Sequence, residues 1–562
     1  MQQFADQCLD LVQLILGQRV SFLEKVPGGE AWEDGAVAGA LTAYIAQGKP
    51  QGSVGESFME FAAQRIGSQF FYDGANAKGC SLAALALVDL GLNRSRNEVW
   101  KRLTPEMQNL IQDWMRTPLP DGGPEQKIYA IVQAVVAGAM GFVEKDGADG
   151  LMGNFLANSG GQGEFLDTAT AGIGGRYDVS GLLLLILFRE VLQRHANVHI
   201  RERRLPSLRT RVQKYLRLLP AIATADGESW SYGLPQGPLA TISSCSLVAW
   251  ALADGWIGAV ERPEYVALLG RLFRHFFLHH INREEGCISG NLSVGEYFSV
   301  VRQLLICSYF GRLVRGSIGQ TDGLCTASSG GRFFTFDRTA RKEQGLWAYR
   351  SAVDGSVFQL PLVGGNGSGS CAYLAFPHRS GVIDGPVAGH CPVFVPSLSW
   401  EGVVTTPSFW GKDVASGMGD GREFQFRYEQ PELTTPAEEI VPGIASCRVQ
   451  WTFDDGWIRS EFFYIPRRTV RLDRFSYAIA LLEDVAGGMA ADHVELRPEL
   501  LVNDFYGEWQ PPRDVAQDPR MRTADGRQIR CLLCLERLLP IQLQQGRSYC
   551  FSIVLHLDRV AN

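Results

Sequence analysis

The first 315 residues repeat one pattern six times: an apolar stretch of helical length follows a short loop of glycine, aromatic and acidic residues. The stretches begin near Ala36, Gly79, Lys127, Ser180, Thr241 and Glu296. Successive starts lie about 43, 48, 53, 61 and 55 residues apart, which is room for one buried helix, a turn and one return helix. The repeat therefore predicts an array of helical hairpins.

The six stretches and the segments between them differ in hydrophobic pattern. Five of the stretches are apolar nearly all round, which predicts inner helices that are buried on every side. The intervening segments 96–117, 209–223 and 262–281 are amphipathic and predict half-exposed outer helices. The basic run Arg201 to Arg217 leads into one of them and predicts a solvated face. Six hairpins can close into a ring, and closure would gather the loops ahead of the inner helices around one mouth.

Composition excludes several classes of protein. With 562 residues, 46% of them hydrophobic, the chain can form a large core and two or more domains. A net charge of −7 and an isoelectric point near 5.8 argue against nucleic-acid and basic membrane-surface partners. The N-terminus reads as an amphipathic helix rather than a signal peptide, and the longest apolar run, Leu182 to Phe188, is too short to span a bilayer. Twelve cysteines without a framework spacing complete the expectation of a cytoplasmic protein, and the oligomeric state stays open.

The pattern of apolar and polar residues changes after Arg315. From Phe333 onward, short runs of β-type residues alternate with Gly, Pro, Asp and Asn turns, so the hydrophobic period falls from 3.6 to 2. This change predicts a two-domain α+β protein. Residues 1–318 would form an (α/α)6-type toroid, residues 319–332 a linker and residues 333–562 an antiparallel β-sandwich.

Four of the six loops carry residues suited to sugar binding. Trp and Tyr faces stack on a pyranose, carboxylates and amides bind its hydroxyls, and Arg pairs with a uronate carboxylate. The candidates, loop by loop, are Asp73 and Asn76 (second); Arg176, Tyr177 and Asp178 (fourth); Asp226, Trp230 and Tyr232 (fifth); Glu296 and Tyr297 (sixth). A long loop around His378 in the β-rich part could reach over the mouth. The alternative interpretation is that the Asp and Gly residues only form turns and helix caps.

Two reactions fit such a site. In β-elimination from a uronic-acid glycoside, Tyr232 or Tyr177 would act as base and acid, Arg176 would hold the carboxylate and Trp230 would stack on the sugar. Hydrolysis would instead use a pair of carboxyl groups, Asp178 with Asp226 or Asp73.

Two further interpretations involve neither elimination nor hydrolysis: a non-catalytic glycan-binding protein, and a ring that holds a small apolar molecule. No cofactor is predicted. The spacing of His275, His279 and His280 on an outer helix could hold a metal, but a stripe of surface or outer-core residues is the favoured interpretation and no metal site is predicted.

The order of the two halves and two of the loops carry a resemblance to a known group. Gly175-Arg-Tyr-Asp178 and Asp226-Gly-Glu-Ser-Trp-Ser-Tyr232 look like mouth loops of toroid enzymes. The whole chain resembles polysaccharide lyases with a toroid followed by a β-sandwich, such as the heparinase II/III-like and oligoalginate lyases. The resemblance implies a lyase that cleaves an acidic oligo- or polysaccharide in the toroid cavity. Those families pair an Asn-His or similar dipeptide with two tyrosines, and this sequence contains no Asn-His.

Overall fold

The protein is described by a computed structural model. The described residues are 33–46, 53–73, 76–144, 147–158, 179–194, 196–223, 227, 229, 237–282, 287–288, 330–350, 357–362, 370–371, 375–376, 383–384, 395–419, 423–436, 439–454, 457–481, 494–502, 508–509, 513–514 and 531–559. The N-terminal half is helix-rich, and the C-terminal half consists of β-sheets.

The described helices all lie before residue 280. In chain order they are α1 (Glu33–Ile45), α2 (Ser53–Asp73), α3 (Ala77–Asp89), α4 (Glu98–Arg102), α5 (Pro105–Arg116), α6 (Pro124–Ala139), α7 (Ala148–Asn158), α8 (Val179–Arg194), α9 (Val198–Ile222), α10 (Gly237–Ala253) and α11 (Arg262–His279). Among these helices, none is both long enough and apolar enough to cross a membrane.

The helices form two rows. Helices α1, α3, α6, α8 and α10 contact one another in succession, and they begin close to the first five predicted starts. Helices α1, α3 and α10 are buried along almost their whole described length, as the all-round apolar pattern predicts. The amphipathic helices α2, α5, α7, α9 and α11 pack on the outside of this inner row. The sixth predicted start, Glu296, lies outside the described residues.

The first two inner helices, α1 and α3, run parallel. At their N-terminal ends, α1 and α3 approach so closely that a Cβ on Gly35 would lie 2.1 Å from the carbonyl oxygen of Gly79. At their C-terminal ends, the Thr42 hydroxyl donates to Asp89 at 3.2 Å. Farther along the row, Arg189 of α8 binds Asp254, the residue after α10. Parallel neighbours place their N-terminal ends, and the loops ahead of them, on the same side of the molecule.

The Arg189–Asp254 pair should contribute measurably to stability. Nη2 of Arg189 donates to both carboxylate oxygens of Asp254, at 2.9 and 3.1 Å, and the guanidinium also lies 5.3 Å from the centre of the Trp250 ring. Since the Arg189 side chain is only 7% exposed, removing Asp254 takes away its two short hydrogen bonds and leaves the buried charge with only the longer contact to Glu190, at 3.8 Å, among the described acids. We expect Asp254→Ala to lower the free energy of unfolding by about 3 kcal/mol, measured by urea denaturation. Lys101→Ala breaks the exposed ion pair with Glu98 and should leave the unfolding midpoint almost unchanged, so an equal loss in both variants would contradict this account.

The strands follow the helices in the chain. They are β1 (Ile281–Asn282), β2 (Cys287–Ile288), β3 (Gly330–Arg338), β4 (Glu343–Arg350), β5 (Val357–Leu362), β6 (Ser370–Cys371), β7 (Ala375–Phe376), β8 (Ile383–Asp384), β9 (Ser397–Trp400), β10 (Val403–Thr405), β11 (Lys412–Met418), β12 (Phe424–Gln430), β13 (Leu433–Thr434), β14 (Ile440–Val441), β15 (Ala445–Asp454), β16 (Trp457–Pro466), β17 (Val470–Leu481), β18 (Val494–Val502), β19 (Glu508–Trp509), β20 (Arg513–Asp514), β21 (Cys531–Leu543) and β22 (Tyr549–Arg559).

Two large sheets share one core. One has the order β11-β12-β15-β16-β22-β18, and the other has the order β10-β9-β17-β21-β19, with β7 and β20 as additional partners. Their strands pair antiparallel, apart from β7 with β17 among the described strands. The Phe475 ring of one sheet stacks on Phe551 of the other at 4.9 Å, and the Trp400 ring packs at a tilt against that of Tyr464, 6.2 Å away. Alternation of buried and outward residues along β15 and β16 explains why the sequence reads with period 2.

Strand β4 packs against both the helices and the sheets, and both of its faces are buried. Leu346 and Ala348 belong to the core that the helices form, whereas Trp347 and Tyr349 belong to the core of the sheets. This alternation places every second side chain of β4 against the helices. The strand before it, β3, begins at Gly330, three residues ahead of the predicted start of the β-rich part. The domain boundary itself stays a prediction, since residues 289–329 are outside the described part.

Candidate functional site

The described residues cover two of the candidate site residues and two further positions of the fifth loop. Asp73 and Asn76 are described, together with Gly227 and Ser229. The remaining candidates lie outside the described residues: Arg176, Tyr177, Asp178, Asp226, Trp230, Tyr232, Glu296, Tyr297 and His378. Their predicted roles therefore stay predictions.

Asp73 does not lie in the second loop, where the sequence placed it. It is the last residue of α2, and Phe71 and Tyr72 belong to the final turn of the same helix. The helical pattern of α2 continues to Asp73, and Gly74 is the first residue after it that favours a break in the helix. The second loop is therefore shorter than predicted, and the aromatic residues project from a helix end.

Asn76 is the N-cap of α3. Its backbone is extended, and its side-chain oxygen accepts a hydrogen bond from the backbone N–H of Gly79 at 2.9 Å. The same geometry occurs at Asn97 and Asn197, the N-caps of α4 and α9. At Asn76 the structure therefore shows helix capping, the kind of role that the alternative interpretation gave to the Asp residues of these loops.

A capping role predicts how Asn76 variants behave. Asn76→Ala leaves an N–H without its cap and should lower the free energy of unfolding by about 1 kcal/mol, whereas Asn76→Asp should keep that free energy close to the wild-type value. Chemical denaturation of both variants measures this difference. If Asn76→Ala were as stable as wild type, the hydrogen bond to Gly79 would have no energetic role.

Two aromatic side chains stand exposed beside the start of α3. Tyr72 is 76% exposed and Phe71 is 51% exposed, and their rings meet edge to face at 4.9 Å. Large exposed aromatic rings are unusual on a soluble surface, and paired rings of this kind offer an apolar platform to a sugar face.

Polar groups gather where the N-terminal ends of α3 and α6 meet. The ammonium of Lys78 lies 3.9 Å from the carboxylate of Glu125, and that carboxylate accepts a hydrogen bond from the hydroxyl of Tyr129. On the other side of α3, Gly35 donates its N–H to the side chain of Gln69. Three helix N-termini thus converge with a cation, a carboxylate and a phenol, and their dipoles favour a negatively charged ligand.

The fifth loop is held tightly at its described positions. Gly227 has a positive φ of 95°, and a Cβ there would lie 2.1 Å from the carbonyl oxygen of Arg271 in α11. Ser229, two residues on, is buried, and its hydroxyl has no hydrogen-bond partner among the described residues. At Gly227 the backbone of this loop therefore rests directly on the outer helix.

A cavity of about 360 Å³ lies at the junction between the helices and the sheets. Helices α9 and α11 line it on one side, and strands β3, β4 and β12 line it on the other. Its charged or hydroxyl-bearing lining residues are Arg217, Glu261, Glu264, Tyr265, Arg332 and Arg350, and its aromatic wall is formed by Phe334 and Phe424. We call this space the junction cavity.

Arg350 connects the two halves at this cavity. Its side chain extends from β4 on the helix-facing side, and its guanidinium donates to the carbonyl oxygens of Pro220, at 2.8 Å, and of Ala223. These carbonyls belong to the C-terminal end of α9, where the helix dipole favours a cation. Burial, together with the nearby charge of Arg271, lowers the pKa of Arg350 to about 10, so it stays protonated at neutral pH.

Tyr265 has a different role from a catalytic base. Its hydroxyl donates to the carbonyl oxygen of Leu216 at 2.7 Å. Burial, reinforced by Glu261 and Glu264, raises the pKa of the hydroxyl far above neutral, so the phenol keeps its proton. Tyr265 therefore supplies a ring wall and helix packing.

The basic run of the outer helix is largely solvated, as predicted, since Arg203, Arg209 and Arg217 are exposed, but several of its members also contact other elements. Arg203 and Arg204 both bind Asp149 of α7, and Arg211 donates to the carbonyl oxygen of Leu156. Arg217 lines the junction cavity. The run therefore joins two outer helices and reaches the cavity, because every third or fourth residue of a helix returns to the same face.

His275 of α11 lies in the outer core, as the favoured interpretation expects. It is 1% exposed, and its ring lies 4.6 Å from that of His279 and 5.3 Å from that of His280. Within the described part of the chain, no group of three or more His, Cys, Asp or Glu side chains is arranged to hold a metal ion.

The residues that the sequence analysis missed are the arginines of the junction and the Lys78–Glu125–Tyr129 group. One sequence signal could have identified Arg350. It is a charged residue at the end of the apolar strand Gly345-Leu-Trp-Ala-Tyr349, and it lies on the same strand face as Leu346 and Ala348. No comparable signal marks Lys78 or Glu125, since their approach depends on how two helices pack.

Comparison with known proteins gives structural neighbours only. No family model matches the sequence, and no curated protein matches it. The chain is similar at low identity to solved polysaccharide lyases. A xanthan lyase from Paenibacillus matches 96% of this chain and 54% of its own, with 10% identity and a TM-score of 0.46.

A chondroitin AC lyase from Streptomyces coelicolor A3, solved in complex with chondroitin sulphate, matches 98% of this chain and 83% of its own, with 9% identity and a TM-score of 0.41. A glycosyl hydrolase of family 88 from Bacteroides vulgatus matches 55% of this chain and 99% of its own, with 12% identity and a TM-score of 0.39. Because these TM-scores lie below 0.5, we base the proposed function on the residues of this chain.

Proposed function

We propose that this protein is a carbohydrate-active enzyme, a lyase that cleaves a uronic-acid-containing oligo- or polysaccharide by β-elimination. In this proposal the helical half closes as an (α/α) toroid, the sheets form a β-sandwich, and the substrate lies at the mouth where the inner helices begin. One observation carries the proposal: the N-terminal ends of α1, α3 and α6 converge beside the exposed Phe71–Tyr72 pair.

This arrangement suits an acidic sugar for two physical reasons. Converging helix N-termini favour negative charge, first the uronate carboxylate and then the charge that develops on it as the C5 proton leaves. The exposed rings of Phe71 and Tyr72 can cover the apolar face of a pyranose. A neutral apolar ligand would gain nothing from the charged groups Lys78 and Glu125, which disfavours the small-apolar-molecule reading.

In the proposed reaction a tyrosine of the fourth or fifth loop, Tyr177 or Tyr232, removes the C5 proton, and a tyrosine returns a proton to the leaving glycosidic oxygen. Arg176 neutralises the uronate carboxylate, which makes the C5 proton acidic enough to be removed. The C4–O bond breaks as the C4–C5 double bond forms, so no water is consumed. Hydrolysis by Asp178 with Asp226 or Asp73 in the same cavity is the alternative, and a non-catalytic glycan-binding protein is the third possibility.

A substrate screen tests the proposal. The purified protein is incubated with uronate-containing and neutral oligosaccharides, while ultraviolet absorbance of the unsaturated product and new reducing ends are both followed. We expect both signals to rise together on a uronate substrate, and neither to rise on a neutral one. New reducing ends without absorbance would establish hydrolysis, and binding of a uronate oligosaccharide without either signal would establish a glycan-binding protein.

A further inference from the structure

The junction cavity brings positive charge into a partly buried space. Three arginines and two glutamates line it, and Arg271 adds a fourth guanidinium that is electrostatically coupled to Arg350. Arg350 is only 5% exposed, and Nε and Nη2 of Arg271 are buried and have no hydrogen-bond partner among the residues that the structure describes. Glu264 is the nearby acid that offsets both buried arginines.

Such an arrangement is incomplete without an anion. Two guanidinium groups that lie close together repel each other, and the Nε and Nη2 groups of Arg271 have no hydrogen-bond partner among the described residues, so a bound anion would lower the free energy of this arrangement. Arg350 already uses two of its N–H groups on the carbonyls of α9, so it is held in place rather than free to turn toward solvent. Arg217 and Arg332 are exposed residues at the cavity rim, where their planar guanidinium groups can bind an oxyanion in bidentate fashion.

The shape of the cavity favours a sugar over a bare ion. Its volume of about 360 Å³ is far larger than a sulfate or phosphate ion requires and lies within the range of small-molecule sites. Phe334 and Phe424 give it an apolar wall, and the Arg332 guanidinium lies 5.2 Å from the centre of the Phe334 ring. A ring with one apolar face and one acidic substituent matches both features.

We propose that the junction cavity binds a saccharide residue that carries an oxyanion, a carboxylate or a sulfate ester, with Arg217 and Arg332 as its exposed ligands and Arg350 at its base. None of the residues proposed for the catalytic mouth lines the cavity. The inference concerns binding alone and does not depend on the proposed lyase activity. Because helices and strands both line the cavity, a bound sugar would also connect the two halves of the molecule.

Isothermal titration of the full-length protein tests this inference with four ligands: glucuronate, a sulfated monosaccharide, glucose and inorganic sulfate. We expect the two acidic sugars to bind at least about tenfold more tightly than glucose, since glucose lacks the charge-assisted hydrogen bonds. Both should also bind more tightly than inorganic sulfate, which cannot use the aromatic wall. Equal affinity for glucose would overturn the oxyanion assignment, and tighter binding of inorganic sulfate would overturn the sugar assignment.

Variants locate the binding. The double variant Arg217→Gln/Arg332→Gln should lose at least about tenfold in affinity for glucuronate, whereas Arg209→Gln, an exposed arginine on the same helix outside the cavity, should bind as wild type does. Arg176→Gln removes the carboxylate partner proposed for the mouth and should keep the junction titration. If the double variant bound as tightly as wild type, or if Arg176→Gln alone abolished binding, the site would not be the junction cavity.

Discussion

Tyr232→Phe is expected to reduce turnover of a uronate oligosaccharide by about 10²- to 10⁴-fold, the range that a general acid or base contributes. The substitution removes one hydroxyl and keeps the ring, so a loss of this size requires the hydroxyl to move a proton. Substrate affinity should change much less, because stacking is retained. Turnover and KM are measured by the absorbance of the unsaturated product. If Tyr232→Phe and Tyr177→Phe both retained full turnover, the assignment of the tyrosines as base and acid would be wrong.

The exposed aromatic pair supplies a matched control. Tyr72→Phe removes a hydroxyl from a tyrosine beside the same mouth and should leave turnover almost unchanged, since only its ring is proposed to contact the sugar. Tyr72→Ala removes the ring as well and should raise KM, because stacking on one sugar face is lost. A large loss of turnover in Tyr72→Phe would show that the hydroxyl effect is not specific to the proposed base.

Gly227→Ala is expected to lower the free energy of unfolding by about 3 kcal/mol or more. Two penalties combine at this position. The φ of 95° is unfavourable for a residue with a Cβ, and that Cβ would meet the carbonyl carbon and oxygen of Arg271 at 2.3 and 2.1 Å. Neither the loop nor the backbone of α11 can yield without moving the other. Because the fifth loop is fixed to α11 at Gly227, we also expect turnover to fall in the molecules that stay folded.

Gly255→Ala separates the two penalties. Gly255 also has a positive φ, 68°, but nothing lies within 4 Å of its missing Cβ. Its substitution should cost about 1 kcal/mol from backbone strain alone, and it should leave turnover unchanged. Thermal or urea unfolding of both variants measures the difference. Equal destabilisation in the two would mean that the contact between Gly227 and Arg271 has no effect of its own.

The inner helices could be predicted because their apolar residues occupy every face. A helix such as α10, Gly237–Ala253, has no polar face to mistake for a loop, and its start is visible as the end of a Gly-rich segment. Helix α2 was harder to recognise, since its apolar residues are spaced among Glu, Gln and Arg, and its last turn was therefore assigned to the second loop. The β-rich half was predicted from its period of 2, which β15 and β16 show directly in their burial.

The site could be predicted only where local sequence determines it. Asn76 was predicted to bind substrate, although it precedes a helix and is followed three residues later by the N–H that it caps, so its capping role could have been inferred from short-range geometry. The junction cavity depends instead on Arg217, Arg332 and Arg350, which are separated by up to 133 residues and meet only because β4 packs on α9. The hydrophobic periodicity of a single segment cannot reveal a contact between residues that are so far apart in the sequence.

The most direct test of the proposed reaction is the mass of the product formed in heavy-oxygen water. Elimination breaks the C4–O bond without adding water. The fragment that carries the new double bond should therefore be lighter by one water than the corresponding hydrolysis fragment. The other fragment should keep the original glycosidic oxygen at its new reducing end, so neither fragment should gain an oxygen from the solvent. We predict this result for a uronate oligosaccharide cleaved by the wild-type protein. A product that contains one heavy oxygen atom from the solvent would contradict the lyase account and establish hydrolysis.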